Sequence, residues 1–404
     1  MLQHSPLRDP PILKLWAALV FSAFGDEVYK IALIWIIVSI AGTSSGIFGA
    51  AQAASILFFS LVGGIFADGK NHRHTMIFAD IFRAALVLLP PLLSIFSPLS
   101  FWMLLPVAVA VSGLNAFFDP ALQAYLPSLT SSRKSLQRTN GLFDSTRRLA
   151  RVLGPALAGF LQLAVPPIQF FTINAVTFLV SAIVVARLPV PDVQVASVSE
   201  GGASRLVQGF RAVKAHPTMP YLLVAHGIVN GGWQLGLVLS TALILQTSHG
   251  GSVAFYGMTM SAYGVGNVLS NIVVSRMHIR QPITLVAVGR FVAAAGFIAL
   301  GLAPSPVWMM VAAAFAAIGA PLSNLPFLNI LQHEFDSADI ARIYRLRMVS
   351  EWAFVLLAMA ISPSLFSLIS PHDVIIGCGL ATGLVGAYGL LWIAPRKRDA
   401  KVEE

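Results

Sequence analysis

Asp26, Glu27 and Lys30 stand together inside an apolar run that extends from about residue 12 to about residue 40. On a helix rising about 1.5 Å per residue they lie roughly 20 Å from where that run begins. A charge at bilayer depth costs about 2.5–3.5 kcal/mol even on lenient scales, so three in one place require protein or water around them. Asp26 and Lys30 are four residues apart and Glu27 and Lys30 three, so either acid can meet the lysine on one helix face. The acid left over is then available to carry a proton. The plainer expectation is an ion pair that pins this helix to its neighbours.

A second polar face occurs at His226, Asn230 and Trp233, spaced by four and three residues, with Gln234 alongside. A polar and aromatic helix face suits the wall of a cavity that takes an amphipathic ligand. His226 is a candidate second proton site, although a lone membrane histidine more often bonds a neighbouring helix. Asn115, Asn174, Asn324 and Asn329 are read as interhelical bonds of the same kind.

The elements that must hold these groups are apolar helices. Twelve stretches run roughly 12–40, 46–66, 75–96, 100–127, 140–164, 167–187, 218–246, 252–275, 282–302, 305–332, 345–369 and 372–394. Nearly all reach the ~20 residues needed to cross hydrocarbon. Except for Lys30, every lysine and arginine lies at, or within a few turns of, the same end of such a stretch. Alternate connections, around Gly42–Ser45, Ser97–Ser100, Pro166–Pro167, Ser248–Gly251, Pro304–Pro306 and Ser370–Asp373, hold none. Basic residues stay cytoplasmic during insertion, so the alternation predicts twelve crossings with both tails in the cytoplasm of a bacterial inner membrane.

Composition agrees. Of 404 residues 56% are hydrophobic and 11% charged, against about 25% charged in soluble domains. The net charge of +9 is spread over seven cytoplasmic segments, which fits anionic headgroups rather than nucleic acid. The single cysteine, Cys378, excludes a disulfide framework and a thiol metal site. The first apolar run is too long for a cleavable signal and reads as an anchor that stays. A polar stretch, 188–217, separates residues 1–187 from residues 218–404, and Leu206, Phe210 and Val213 give its second part the spacing of a short surface helix. At an offset of 206, Gly25 answers Gly231, Pro120 answers Pro326 and Gln123 answers Asn329, which supports two pseudo-symmetric six-helix bundles. That offset sets Gly232, Trp233 and Gly236 opposite Asp26, Glu27 and Lys30, so the acids belong to one half.

The stretch GGIFADGKNHRH (63–74) resembles the signature loop between helices 2 and 3 of the major facilitator superfamily, with Gly64, Asp68 and Arg73 in matching roles and Gly69 where an arginine is usual. RVLGPALAG (151–159) is similar to the superfamily's export motif through Gly154, Pro155 and Gly159. ADIFRA (79–84), FFDPA (117–121) and TNGLFDSTRRLARVLGPALAG (139–159) resemble the enterobactin-exporter and macrolide-efflux branch. The resemblance implies an all-α membrane protein of major facilitator fold, working by alternating access as a monomer and without a cofactor. It also implies a cytoplasmic gate in which Asp68 and the loop basics latch against the start of helix 11. Asp80, Arg83, Asp119, Arg151 and Glu351 are placed with that gate; Glu351, two turns into its helix, needs a partner, for which Arg151 and Arg83 are candidates between which the sequence does not choose. Arg147 and Arg148 are expected to serve topology and headgroup contact.

The expected activity is proton-driven export of a small amphipathic molecule, a siderophore or a drug-like compound, with uptake of such a molecule, a peptide or a lipid as the alternative. No G-x-x-x-x-G-K-[ST] loop is present for ATP drive. A membrane-embedded transferase is disfavoured because the sequence has no metal-ligand cluster, no nucleophile elbow and no sizeable soluble domain. A scaffold with a transporter fold is the remaining class.

Overall fold

The computed structural model describes residues 6–67, 71–130, 132–189, 202–248 and 251–393, and among them the chain is all helix. Six long helices come first: α1 (Pro10–Ala41), α2 (Ser45–Ala67), α3 (His72–Leu93), α4 (Phe101–Tyr125), α5 (Arg133–Leu161) and α6 (Gln169–Ala186). The short α7 (Gly202–Ala215) follows, where the spacing predicts one. The next membrane helix, α8, is continuous but composite: α over Met219–Gly232, π over Trp233–Ser240 and α again over Thr241–Ser248. Then come α9 (Val253–Val274), α10 (Pro282–Gly301), α11 (Pro306–Glu334), α12 (Ser337–Leu368) and α13 (Pro371–Tyr388), the last closed by a π turn over Gly389–Ile393.

Nine segments among the described residues are long and apolar enough to cross a membrane. One of them, Pro10–Phe59, joins two predicted stretches through the 3-10 turn Gly42–Ser44. Two predicted stretches fall outside the nine for different reasons. Helix α5 begins well before the predicted 140 and carries Lys134, Arg138, Asp144, Arg147, Arg148 and Arg151 along its first turns. Helix α9 has no charge, but Gly, Ser, Thr, Asn and Tyr dilute its apolar character. Both still run for five turns or more, because backbone hydrogen bonding in lipid has to be completed within the segment.

The chain divides into two compact units, Met1–Ile40 with Phe58–Ser199, and Ala41–Leu57 with Glu200–Glu404. The first half of α2 thus groups with the second unit; a side chain at Gly46 would run into Ser362 of α12. Each unit has its own apolar core. Ile12, Leu15, Met76, Ala79, Leu122 and Tyr125 are buried together in the first. Met219, Leu222, Ile283, Val286, Phe327 and Ile330 are buried together in the second. Four of these pairs, Ile12 with Met219, Leu15 with Leu222, Met76 with Ile283 and Ala79 with Val286, are 207 residues apart. For the first and third helices of each unit the structural step is therefore 207, one more than the motif spacing, and Trp233, Gln234 and Leu237 become the counterparts of Asp26, Glu27 and Lys30.

Candidate functional site

In the first unit, α1 is held against α6 at Gly25, where a Cβ would come within 2.6 Å of Thr177 Oγ1 and 2.7 Å of Asn174 Oδ1. That close approach brings Asp26 to Asn174, whose Nδ2 donates to Asp26 Oδ1 at 3.2 Å. Thr177 Oγ1 in turn lies 3.1 Å from Asn174 Oδ1, to which it can donate, so the amide is positioned from behind. One turn on, Tyr29 meets Phe171 edge-on with centroids 4.9 Å apart, and its buried hydroxyl has no protein partner.

The next acid faces another neighbour. Gly154 of the predicted export motif lies so close to α1 that a Cβ there would sit 2.4 Å from Glu27 Cβ. Gly154, Pro155 and Gly159 are all buried, and Gly154 acts locally as the seat for Glu27. Lys30 Nζ bonds Glu27 Oε1 at 2.8 Å, with the lysine 54% exposed and the glutamate 16%. Of the two pairings open to Lys30, the structure adopts the one with Glu27. Asp26 is the acid left over, on the side of α1 that faces α6 rather than a lipid-facing stripe.

Helix α3 adds a fully buried carboxylate. Asp80 and Arg83 form an ion pair one turn apart and are 0% and 3% exposed. Arg83 Nη1 also donates to Asn115 Oδ1 of α4, and its guanidinium is sandwiched between Phe118 at 4.4 Å and Phe178 at 4.3 Å. Ser181 of α6 is also in hydrogen-bond range of the Asp80 carboxylate, and Arg83 Nε has no partner among the described residues. Asp26 lies within electrostatic range of both Arg83 and Asp80. With Glu27 paired to Lys30, the remaining carboxylates Asp26 and Asp80 are both in electrostatic range of Arg83 and only Asp80 is ion-paired with it; the five groups carry one negative charge in excess when all are ionised.

Of the residues expected at a cytoplasmic gate, Arg73, Asp80, Arg83, Asp119 and Arg151 belong to the first unit and Glu351 to the second. Asp80 and Arg83 lie in the interior of the unit, not at its surface. Arg73 caps α6: its Nε donates to Val185 O at 3.1 Å and its Nη2 to Ala186 O, placing a cation on the helix's negative end. Asp119 pairs with Arg147 at 2.6 Å and Asp144 with Arg148 at 2.7 Å, so both arginines have acid partners. Arg151 is exposed and in electrostatic range of Lys30. Glu351 pairs with Arg347, one turn earlier on α12, at 2.7 Å; the expectation of Arg151 or Arg83 is corrected, because a partner on its own helix is already in reach. Asp68 lies outside the described residues, and Gly64 is placed on the backbone of α2 only.

In the second unit, His226 is 7% exposed and its Nδ1 donates to Leu222 O of its own helix at 2.8 Å, not to a neighbour. Its Nε2 is buried without a partner. Asn230, Trp233 and Gln234 are half-buried, and Trp233 packs on Tyr263 with centroids 5.9 Å apart. Trp233 also opens the π segment, in which Ser240 Oγ donates to Leu235 O five residues back. Such segments recur at functional sites. Of the four asparagines, Asn115 and Asn174 make the interhelical bonds expected of them.

One residue escaped the sequence reading. Arg290 on α10 counted only as a basic residue a few turns from a helix end, yet it is 4% exposed, and its Nε and Nη2 have no partner among the described residues. The available signal was its place: it stands 207 residues after Arg83 and shares that arginine's burial.

The family model for transmembrane secretion effectors matches residues 2–331. The multidrug efflux pump Tap of Mycolicibacterium fortuitum is 25% identical over 331 residues, covering 79% of this chain and 80% of that one. Macrolide efflux protein A of Streptococcus pyogenes is 24% identical over 180 residues, 44% of each chain. Among solved structures, a bacterial homologue of the human lysosomal transporter Spinster superposes with a TM-score of 0.71 at 16% identity, covering 97% of both chains, a likeness of fold. With its helical units and multi-pass architecture, the chain belongs to the transmembrane secretion effector family of the major facilitator superfamily and is a secondary transporter, not an enzyme.

Proposed function

We propose that this transporter exports small amphipathic, drug-like molecules from the cytoplasm in exchange for protons, in a bacterial inner membrane with both termini cytoplasmic. The observation that carries the reading is that Asp26, bonded to Asn174, stands beside the ion pairs Glu27–Lys30 and Asp80–Arg83 and makes no ion pair of its own among the described residues. Burying an excess negative charge is costly, and a proton removes the excess. Proton binding and release at this set therefore changes the stability of the conformation that encloses it, which is the requirement for coupling a gradient to alternating access. Asp26 is the proton carrier in this scheme, since Asn174 holds it in place with a single bond while Asp80 is tied to Arg83.

The direction rests on the family and on relatives named as efflux pumps. Orientation rests on the one-sided distribution of lysine and arginine. Two six-helix bundles over 1–187 and 218–404, joined by the segment that holds α7, are the moving parts, and a monomer suffices. The test is accumulation of ethidium and of erythromycin in a bacterium stripped of its own efflux pumps. Cells making the protein should hold less of at least one compound, and a protonophore should abolish the difference. Equal accumulation with and without the protein, or a difference that survives the protonophore, rejects the reading.

A further inference from the structure

Arg83 and Arg290 occupy corresponding positions in the two units, but their surroundings differ in one respect. Asp80 stands three residues before Arg83 and pairs with it; three residues before Arg290 stands Ala287. Arg290 makes no ion pair among the described residues, and two of its nitrogens are buried without a partner. It lies about 12 Å along α10 from Pro282, beyond easy reach of the helix end. Within electrostatic range of it are Tyr221, Tyr263, Arg347 and Glu351, and His226 is within range of both arginines. Glu351 is already bonded to Arg347, whose guanidinium also lies 4.6 Å over the Phe327 ring. Arg290, Arg347 and Glu351 together thus carry one positive charge in excess, opposite in sign to the first unit.

We propose that Arg290 is the anchor of a carboxylate-binding site in the second unit, taking amphipathic aromatic anions. A guanidinium is the side chain best shaped for a carboxylate, and a membrane-buried one without a counter-ion is retained at a cost that an incoming anion offsets. The paired rings of Trp233 and Tyr263 offer a surface for an apolar aromatic body. His226 Nε2, with Nδ1–H committed to Leu222, accepts a hydrogen bond from a hydroxyl or amine on the same ligand. This deepens the transporter reading, on which its meaning as a cargo site rests; the binding itself does not depend on it.

The test uses the full chain in phosphatidylcholine nanodiscs and equilibrium dialysis of radiolabelled 1-naphthylacetate against its neutral amide, 1-naphthylacetamide. Wild type should bind the carboxylate at least tenfold more tightly than the amide, the size of effect a charge-assisted bond supplies. Arg290→Gln should erase that preference. Ala287→Asp should erase it too, by giving Arg290 the internal partner that Arg83 has, and it serves where Arg290→Gln does not fold. Absence of a carboxylate preference in the wild type overturns the proposal, as does a preference that survives either variant. If phosphatidylglycerol in the nanodisc blocks the probe, and mass spectrometry finds that lipid retained by wild type but not by Arg290→Gln, the occupant is a headgroup phosphate and the proposal fails. Probe binding through Arg290 in a chain that exports nothing sinks the export reading alone; export without carboxylate preference sinks this site alone.

Discussion

Removing Asp26 and Asp80 one at a time and then together should give sharply non-additive losses of stability. Asp80→Asn removes the direct partner of a guanidinium that is only 3% exposed, but leaves Asn115, two aromatic faces and the nearby Asp26 to balance it. That loss should be about 1–2 kcal/mol, the worth of a charged hydrogen bond. Asp26→Asn keeps an amide that can still bond Asn174, and should cost about 1 kcal/mol or less. The double variant leaves Arg83 buried with no carboxylate in range, a situation that costs about 3–5 kcal/mol. Between the middles of these ranges the double exceeds the sum of the singles by about 1–2 kcal/mol, within the range measured for residues of one network. A triple variant, Asp26→Asn with Asp80→Leu and Arg83→Met, should recover much of the loss, because deleting a charge costs less than orphaning it. The measurement is the unfolding free energy of purified protein in mixed dodecylmaltoside–SDS micelles. Additive losses, or a triple variant no better than the double, would refute the idea that the two acids share one cation.

Other outcomes are expected at single positions. Gly154→Ala forces a Cβ to within 2.4 Å of Glu27 Cβ, so α1 and α5 must separate, at a cost of about 1–3 kcal/mol in the same micelle assay. Arg73→Gln removes the cation from the end of α6 and should cost about 0.3–1 kcal/mol, with faster amide exchange confined to the last turn of that helix. Arg148→Ala breaks a pair whose two side chains are both 56% exposed, and should shift stability by less than about 1 kcal/mol. Glu351→Gln removes an acid beside Arg290 and Arg347 and should tighten 1-naphthylacetate binding several-fold; weaker binding there contradicts a site with surplus positive charge.

Hydropathy and charge alternation made the helices legible, since both are written residue by residue. Helix starts were less so: α5 begins at Arg133 and α12 at Ser337, ahead of the apolar stretches, because backbone bonding continues past the point where lipid begins. Asp26, Glu27 and Lys30 stood out because charge inside an apolar run is conspicuous. Which acid takes the lysine was not readable, as both spacings permit it; Gly154 and Asn174, on two other helices, frame the choice. Asp80 and Arg83 were visible as charges but not as an interior pair, since their distance from a helix end resembles that of a gate residue. Arg290 was hidden by the same ambiguity. The π segment at Trp233 has no periodic signature and emerges only from hydrogen bonding between residues five apart.

The proton-carrying role of Asp26 is most directly tested in inverted membrane vesicles under an imposed pH gradient, using whichever compound the accumulation assay identifies. Asp26→Asn should lose gradient-driven uptake into the vesicles yet keep counterflow of preloaded compound, while Glu27→Gln, whose charge is matched by Lys30, should keep both. Full gradient drive in Asp26→Asn contradicts the assignment outright.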